Sequence, residues 1–232
     1  GLTFITVRVF VASAIAISLF NLLPISPNLD GASLLDALRG GPDFARGEAL
    51  AELREIVLSG VRPRDWPADV MARLTTPAAD GEPLPPIAYL MVYYVALDRG
   101  ELIRASWNLD RLIATSWLLS PGVVLEVAYF VARYRRDAAL ARVWLDRGQR
   151  RHEPLRTARA LAAILLVEGE AEKALAATEA GLKEIARQRA KDDPDAESLA
   201  LPEEQLRQMT AEARAALTVG VSLAPRETDA RA

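Results

Sequence analysis

Cysteine is absent from this 232-residue chain, and histidine occurs once, at His152. The first absence excludes disulfides and thiolate metal sites and fits a cytosol-facing setting. The second excludes any metal centre that needs two imidazoles from this chain alone. Lysine is confined to positions 173, 183 and 191, so nearly all positive charge is arginine. No Gly-rich phosphate loop, Ser-His-Asp set or dinucleotide fingerprint occurs, and strand-like alternation is scarce. Acids and bases nearly balance at a net charge of −3, which leaves no electrostatic footprint for nucleic acid.

What is present is apolar, and concentrated at the start. Hydrophobic residues make up 51% of the chain, with the excess in residues 2–24, LTFITVRVFVASAIAISLFNLLP. This approaches the roughly 20 apolar residues of a spanning helix. Arg8 is its one charge, placed where it can snorkel to an interface. A signal peptide and a buried core helix share this composition. Pro24-Ile25-Ser26-Pro27-Asn28 is a poor cleavage region, however, and a start at Gly1 rather than methionine reads as internal. The expectation is a membrane-embedded helix. Pro24 and Pro27 each remove a backbone donor and crowd the carbonyls of the preceding turn, so the helix breaks near 21–23. At membrane depth the freed backbone groups need a polar cavity or protein around them. Asn21 and Asp30, flanking that break, are therefore site candidates.

Asn21-x-x-Pro24 followed by Leu29-Asp30-Gly31 is similar to the second conserved motif of the site-2 protease family of intramembrane zinc metalloproteases. The resemblance covers about a dozen residues. It implies that Asp30 is the third zinc ligand, and that Asn21 and Pro24 line the catalytic site and help hold the substrate strand. This chain departs from the family in a slightly longer step from Pro24 to Asp30 and in Ala32, where a second glycine often follows. The family's other two zinc ligands are the histidines of a His-Glu-x-x-His helix, whose glutamate is the general base. That motif is not in this sequence. The expectation is a C-terminal piece of a larger membrane protease, inactive by itself, with the histidine helix upstream. In the complete enzyme the resemblance implies that zinc activates a water for attack on a peptide bond in the membrane.

Asp30 also reads as an N-cap. Residues 32–38, ASLLDAL, form a short helix ending at Gly40-Gly41, and aspartate is a preferred cap. Residues 44–59 read as an amphipathic helix stopped by Gly60. Val61 to Pro67, VRPRDWP, reads as a turn with a packed tryptophan and solvated charges. It is similar to segments that follow the Asp-Gly motif in some bacterial relatives. Residues 75–86, TTPAADGEPLPP, are the clearest linker.

From Ile87 to Ala190 the pattern is helix after helix. Segments 96–113, 131–148 and 165–182 align: an acid at 101, 137 and 170 is followed four residues later by Ala105, Ala141 and Ala174. The spacing is close to the roughly 34-residue tetratricopeptide period. Small residues at such positions let paired helices approach closely, and stacked pairs bury a continuous seam. The tetratricopeptide family's Trp, Gly and Tyr signature is only partly present. Such arrays bind a peptide or protein partner in their concave face or serve as plain spacers. Most of the aromatics at 89, 93, 94, 107, 117, 129, 130, 134 and 144 read as core. His152 reads as a surface residue, and Glu168, Glu170, Glu203 and Glu204 as solvated turns and a helix start. Residues 191–202 are a polar linker, 203–217 a last helix that caps the array, and the tail from Ala224 a disordered end.

The fold class expected is all-α: a membrane-embedded protease segment over 1–41 with a Pro-broken end, a helical connector and linker over 42–86, tetratricopeptide-like repeats over 87–190, and linker, capping helix and tail over 191–232. The expected partners are the membrane, a membrane-protein or peptide substrate, and a protein at the repeats; the expected cofactor is zinc at an incomplete site. Arg39, Arg46 and Arg54 favour a cytoplasmic C-terminal side, and Arg8 opposes it. A membrane-anchored helical-repeat adaptor without catalysis is the other reading.

Overall fold

The computed structural model describes residues 40–77, 82–116, 118–148, 153–191 and 199–223, the last five by backbone alone. Every regular element among them is helical, with nine α-helices, one 3-10 turn and no strand. The protein is all-α. No helix among the described residues is long and apolar enough to cross a membrane. The expected membrane-embedded segment over 1–41 lies, up to residue 39, outside the described residues, as do the expected helix at 32–38 and the tail from Ala224.

Four helices begin at a proline, where the missing N–H costs nothing and the fixed φ suits the first turn: α1, Pro42–Leu58; α3, Pro86–Asp98; α5, Pro121–Arg135; and α7, Pro154–Val167. Between them lie a 3-10 turn at Pro63–Asp65, α2 at Ala68–Leu74, α4 at Leu102–Thr115 and α6 at Ala138–Gly148. The order closes with α8, Ala171–Arg189, and α9, Ala200–Leu223. The chain divides into two compact units, Gly1–Glu55 with Pro67–Ala88 and Ile56–Trp66 with Tyr89–Ala232.

In the first unit α1 buries Ala49 and Leu53, and α2 buries Val70 and Leu74. The two helices are tied by an Arg73–Glu52 ion pair, and Arg46 donates to the Thr76 carbonyl at 2.8 Å.

The second unit is built from helix pairs, α3 with α4, α5 with α6 and α7 with α8. Their turns contain Gly100 (φ 74°), Arg136 (φ 58°) and Gly169 (φ 78°), each in left-handed backbone. An acid follows directly in each case, and Ala105, Ala141 and Ala174 each donate their N–H to its carbonyl at 2.9–3.1 Å. All three alanines are fully buried. Glu101 N–H bonds the Ala96 carbonyl at 2.8 Å and Glu170 N–H the Leu165 carbonyl at 2.9 Å, which closes the preceding helices with a Schellman turn. At Arg136, where glycine is missing, the N–H reaches back to Val131 instead. α7 packs on both members of the preceding pair, α5 and α6, and α9 packs on α7 and α8. Aromatic edges join first helices: the Tyr93 and Phe130 centroids of α3 and α5 are 5.7 Å apart at 71°. Tyr93, Tyr129, Phe130, Leu125 and Ile164 are the large buried side chains of this layer.

Candidate functional site

The first helices of the three pairs place their polar residues at one cavity of about 500 Å³. Its wall runs from Val57 at the end of α1 to Trp66 just after the 3-10 turn, through Met91 and Tyr94 of α3 and Glu126 of α5, to Leu155, Arg156 and Arg159 of α7. Leu199 to Pro202, the first turn of α9, close one side. A cavity of this volume, mostly apolar with a few converging polar groups, has the character of a ligand site.

Its polar floor is a buried cluster. Glu126 and Arg159, 1% and 4% exposed, form an ion pair. The Tyr93 hydroxyl donates to the other oxygen of Glu126 at 2.8 Å, and Arg159 Nη1 donates to Gln205 of α9 at 2.8 Å. The Arg159 guanidinium also lies 4.4 Å from the Tyr129 ring centroid, a cation–π contact strengthened by desolvation. Burial alone would lower the Arg159 pKa, but the charge of Glu126 holds it above the usual arginine value. Burial, reinforced by Glu126, pushes the Tyr93 hydroxyl well above the usual tyrosine range, and burial raises Tyr94 likewise. These groups keep their resting protonation states at neutral pH. Arg159 Nε is buried without a partner.

The rim is arginine. Arg62 pairs with the fully buried carboxylate of Asp98 and, at 2.5 Å, with Glu204 of α9. Its hydrogen bond to Asp98 is the main cause that raises its pKa. Asp98 also accepts from the Arg64 backbone N–H at 3.1 Å. Arg156 pairs with Glu153 at 2.9 Å. Trp66, 7% exposed, donates from its indole to the Val61 carbonyl at 3.1 Å. The packed tryptophan of the 61–67 segment is thus as expected, but Arg62 is a cross-helix tie rather than a solvated charge.

Glu126 is held on one oxygen by Arg159 and on the other by Tyr93. The rim arginines are likewise paired, Arg62 with Asp98 and Glu204 and Arg156 with Glu153.

The residues singled out for the metal and the substrate strand, Asn21, Pro24 and Asp30, lie outside the described residues, as does His152. Among the described residues no group of three or more His, Cys, Asp or Glu could hold a metal ion. Glu168 is held by Arg142 at 2.5 Å and Glu203 by Arg189 at 2.7 Å, so these carboxylates serve as ties between helices. Of the aromatics, Tyr93, Tyr129 and Phe130 are core, whereas Trp107 is 52% exposed and Trp117 lies outside the described residues. Glu126 and Arg159 carry no motif. Their one signal is a single acid inside VVLEVAYFVA and a single base inside TARALAAILL, each out of place in a largely apolar run.

Compared with protein-family models, curated proteins and solved structures, the chain matches none of them.

Proposed function

We propose that this chain is the C-terminal part of an intramembrane zinc metalloprotease of site-2 type, joined to a tetratricopeptide-like region that holds a partner or substrate segment. The observation that carries the reading is the sequence Asn21-x-x-Pro24 to Asp30-Gly31 at the Pro-broken end of an apolar run. Asp30 would be a zinc ligand, and Asn21 and Pro24 would lie beside the substrate strand. A catalytic zinc site takes three protein ligands. With one histidine and no cysteine, the residues here do not make up that set. Hydrolysis therefore requires a His-Glu-x-x-His region joined to this one, and no catalytic step is assigned to this chain's residues alone.

The test is zinc content and proteolysis of the complete reading frame in detergent, with and without Asp30→Asn. Stoichiometric zinc that falls sharply with the substitution, together with activity, supports the reading. Zinc and activity unmoved by Asp30→Asn would overturn it, and Asp30 would be a helix cap.

A second reading, a membrane-anchored helical-repeat adaptor without catalysis, is favoured by the helix pairs themselves. Ala105, Ala141 and Ala174 are buried at one register of three successive turns, and the first helices share a cavity with charged edges. This supports a tetratricopeptide-like array that binds protein, whatever the chemistry upstream. Zinc-free full-length protein that still binds a partner through α3 to α8 would favour the adaptor.

A further inference from the structure

The cavity among the first helices is lined by two residues with donors that the array does not use. Arg159, 4% exposed, gives Nη1 to Gln205 and Nη2 to Glu126, and its Nε is buried without a partner. Tyr94, also in the lining, forms no hydrogen bond among the described residues. Its neighbour Tyr93 shows the contrast, since that hydroxyl is taken by Glu126. Folded interiors leave few buried donors unsatisfied, and each calls for an explanation.

The charges at the same place are already answered. Glu126 is paired with Arg159, Glu153 with Arg156, and Asp98 and Glu204 with Arg62. Three arginines meet four carboxylates, so an anion would enter against a small negative excess, and a cation would find every carboxylate held. What remains for a guest is apolar wall, from Val61, Trp66, Met91, Leu155, Leu199 and Leu201, and the two unused hydrogens.

Size narrows the choice. One turn of an α-helix, about 10 Å across and about 5.4 Å high, fills about 400 Å³. A space of about 500 Å³ therefore holds little more than one turn, too little to seat a partner helix. It falls within the range of small-molecule sites, about 300–1,000 Å³. The 57–66 segment and the first turn of α9 both line it, and the Arg62–Glu204 pair joins them. We infer that this cavity binds a neutral, largely apolar small molecule bearing a carbonyl-type oxygen, which accepts from the unused donors of Tyr94 and Arg159. This goes beyond the zinc and adaptor readings and rests on neither, so its test fails or succeeds separately from theirs.

The test irradiates the full chain in detergent with benzophenone, a neutral diaryl ketone that bonds covalently to nearby C–H groups, methionine's most readily. The sequence has three methionines. Met91 lines the cavity, Met209 is fully buried, and Met71 on α2 is outside the lining and reports unspecific labelling. Mass spectrometry should find Met91 adducts that saturate with ketone concentration and exceed those at Met71 at least tenfold. Tyr94→Phe, which removes only a hydroxyl without a partner, should raise the half-saturating concentration about threefold to tenfold, the effect of one hydrogen bond. Ala200→Trp, which fills the side at the first turn of α9, should cut Met91 labelling at least tenfold; Leu201→Trp serves in its place if the melt shows lost helix. Para-benzoylbenzoate, the same ketone with a carboxylate, should label Met91 less than benzophenone does. Met91 labelling that does not saturate, or that only matches Met71, would sink the inference. So would a half-saturation unmoved by Tyr94→Phe, labelling unmoved by the tryptophan, or stronger labelling by the carboxylate.

Discussion

Arg159 carries the heaviest electrostatic obligation in the described chain, because its partner Glu126 is as buried as it is. Removing one member of a buried pair strands the other charge, which costs roughly 3–5 kcal/mol. Arg159→Leu should show that loss in urea denaturation. Glu126→Leu combined with it should recover at least half, since an apolar pair needs no compensation. A double variant as weak as the single one would refute this account. Arg136 presents the opposite case, an L-residue with φ 58° at a helix end where the two other pairs place glycine. Left-handed backbone costs a side-chain-bearing residue roughly 1–2 kcal/mol, partly offset by the greater freedom glycine has when unfolded. Arg136→Gly should therefore stabilise by about 1 kcal/mol, read as a higher Tm. Glu184 has a pH signature. Its hydrogen bond with Arg187 lowers its pKa to about 2. Because the folded value lies below the unfolded one, the contribution is complete above the ordinary glutamate range and disappears as pH falls through about 2. The stability gap between the chain and Glu184→Gln should shrink from pH 6 to pH 2.

Helix contacts turn on whether a glycine is an allowance or a vacancy. Gly148, at the end of α6, is fully enclosed, and a Cβ there would lie 2.6 Å from Leu125 Cδ2 of α5. Leu125 is itself buried and cannot retreat. Gly148→Ala should destabilise by about 1–3 kcal/mol through overpacking. Gly47, inside α1, has nothing within 4 Å of such a Cβ. There alanine should stabilise by about 0.5–1 kcal/mol, the ordinary helix-propensity gain. Opposite signs from two identical substitutions, measured by thermal melts, would locate the tight contact at α5 and α6.

Across the whole molecule, local features were legible and distant ones were not. The pairs α3–α4, α5–α6 and α7–α8 could be read because each turn writes its signal in adjacent residues, an acid and then an alanine one helical turn on. Boundaries drifted where such signals were weak: the last helix, expected over 203–217, runs from Ala200 to Leu223. Glu126–Arg159 and Arg62–Asp98 could not be read, because the partners are far apart in sequence and each looks like an ordinary charge until the helices stack. Arg62 in particular was expected to be solvated, as its neighbours in sequence give no hint of the buried Asp98. The metal-ligand candidate is a matter of local spelling alone, Asp30 after an apolar run. On the reading proposed above, Asp30→Asn should lower the zinc content of the complete protein and leave the melting of α3 to α9 unchanged within about 0.5 kcal/mol.

The near-absence of lysine has a practical consequence for labelling. Lys173 and Lys183 lie on α8 and Lys191 in the turn directly after it, and the ion pairs described above between helices use arginine, which amine-directed reagents leave untouched. Succinimidyl dyes or cross-linkers, apart from any reaction at the amino terminus, will therefore mark α8 and the turn directly after it. A single labelling step thus installs an optical reporter on the helix against which α9 rests.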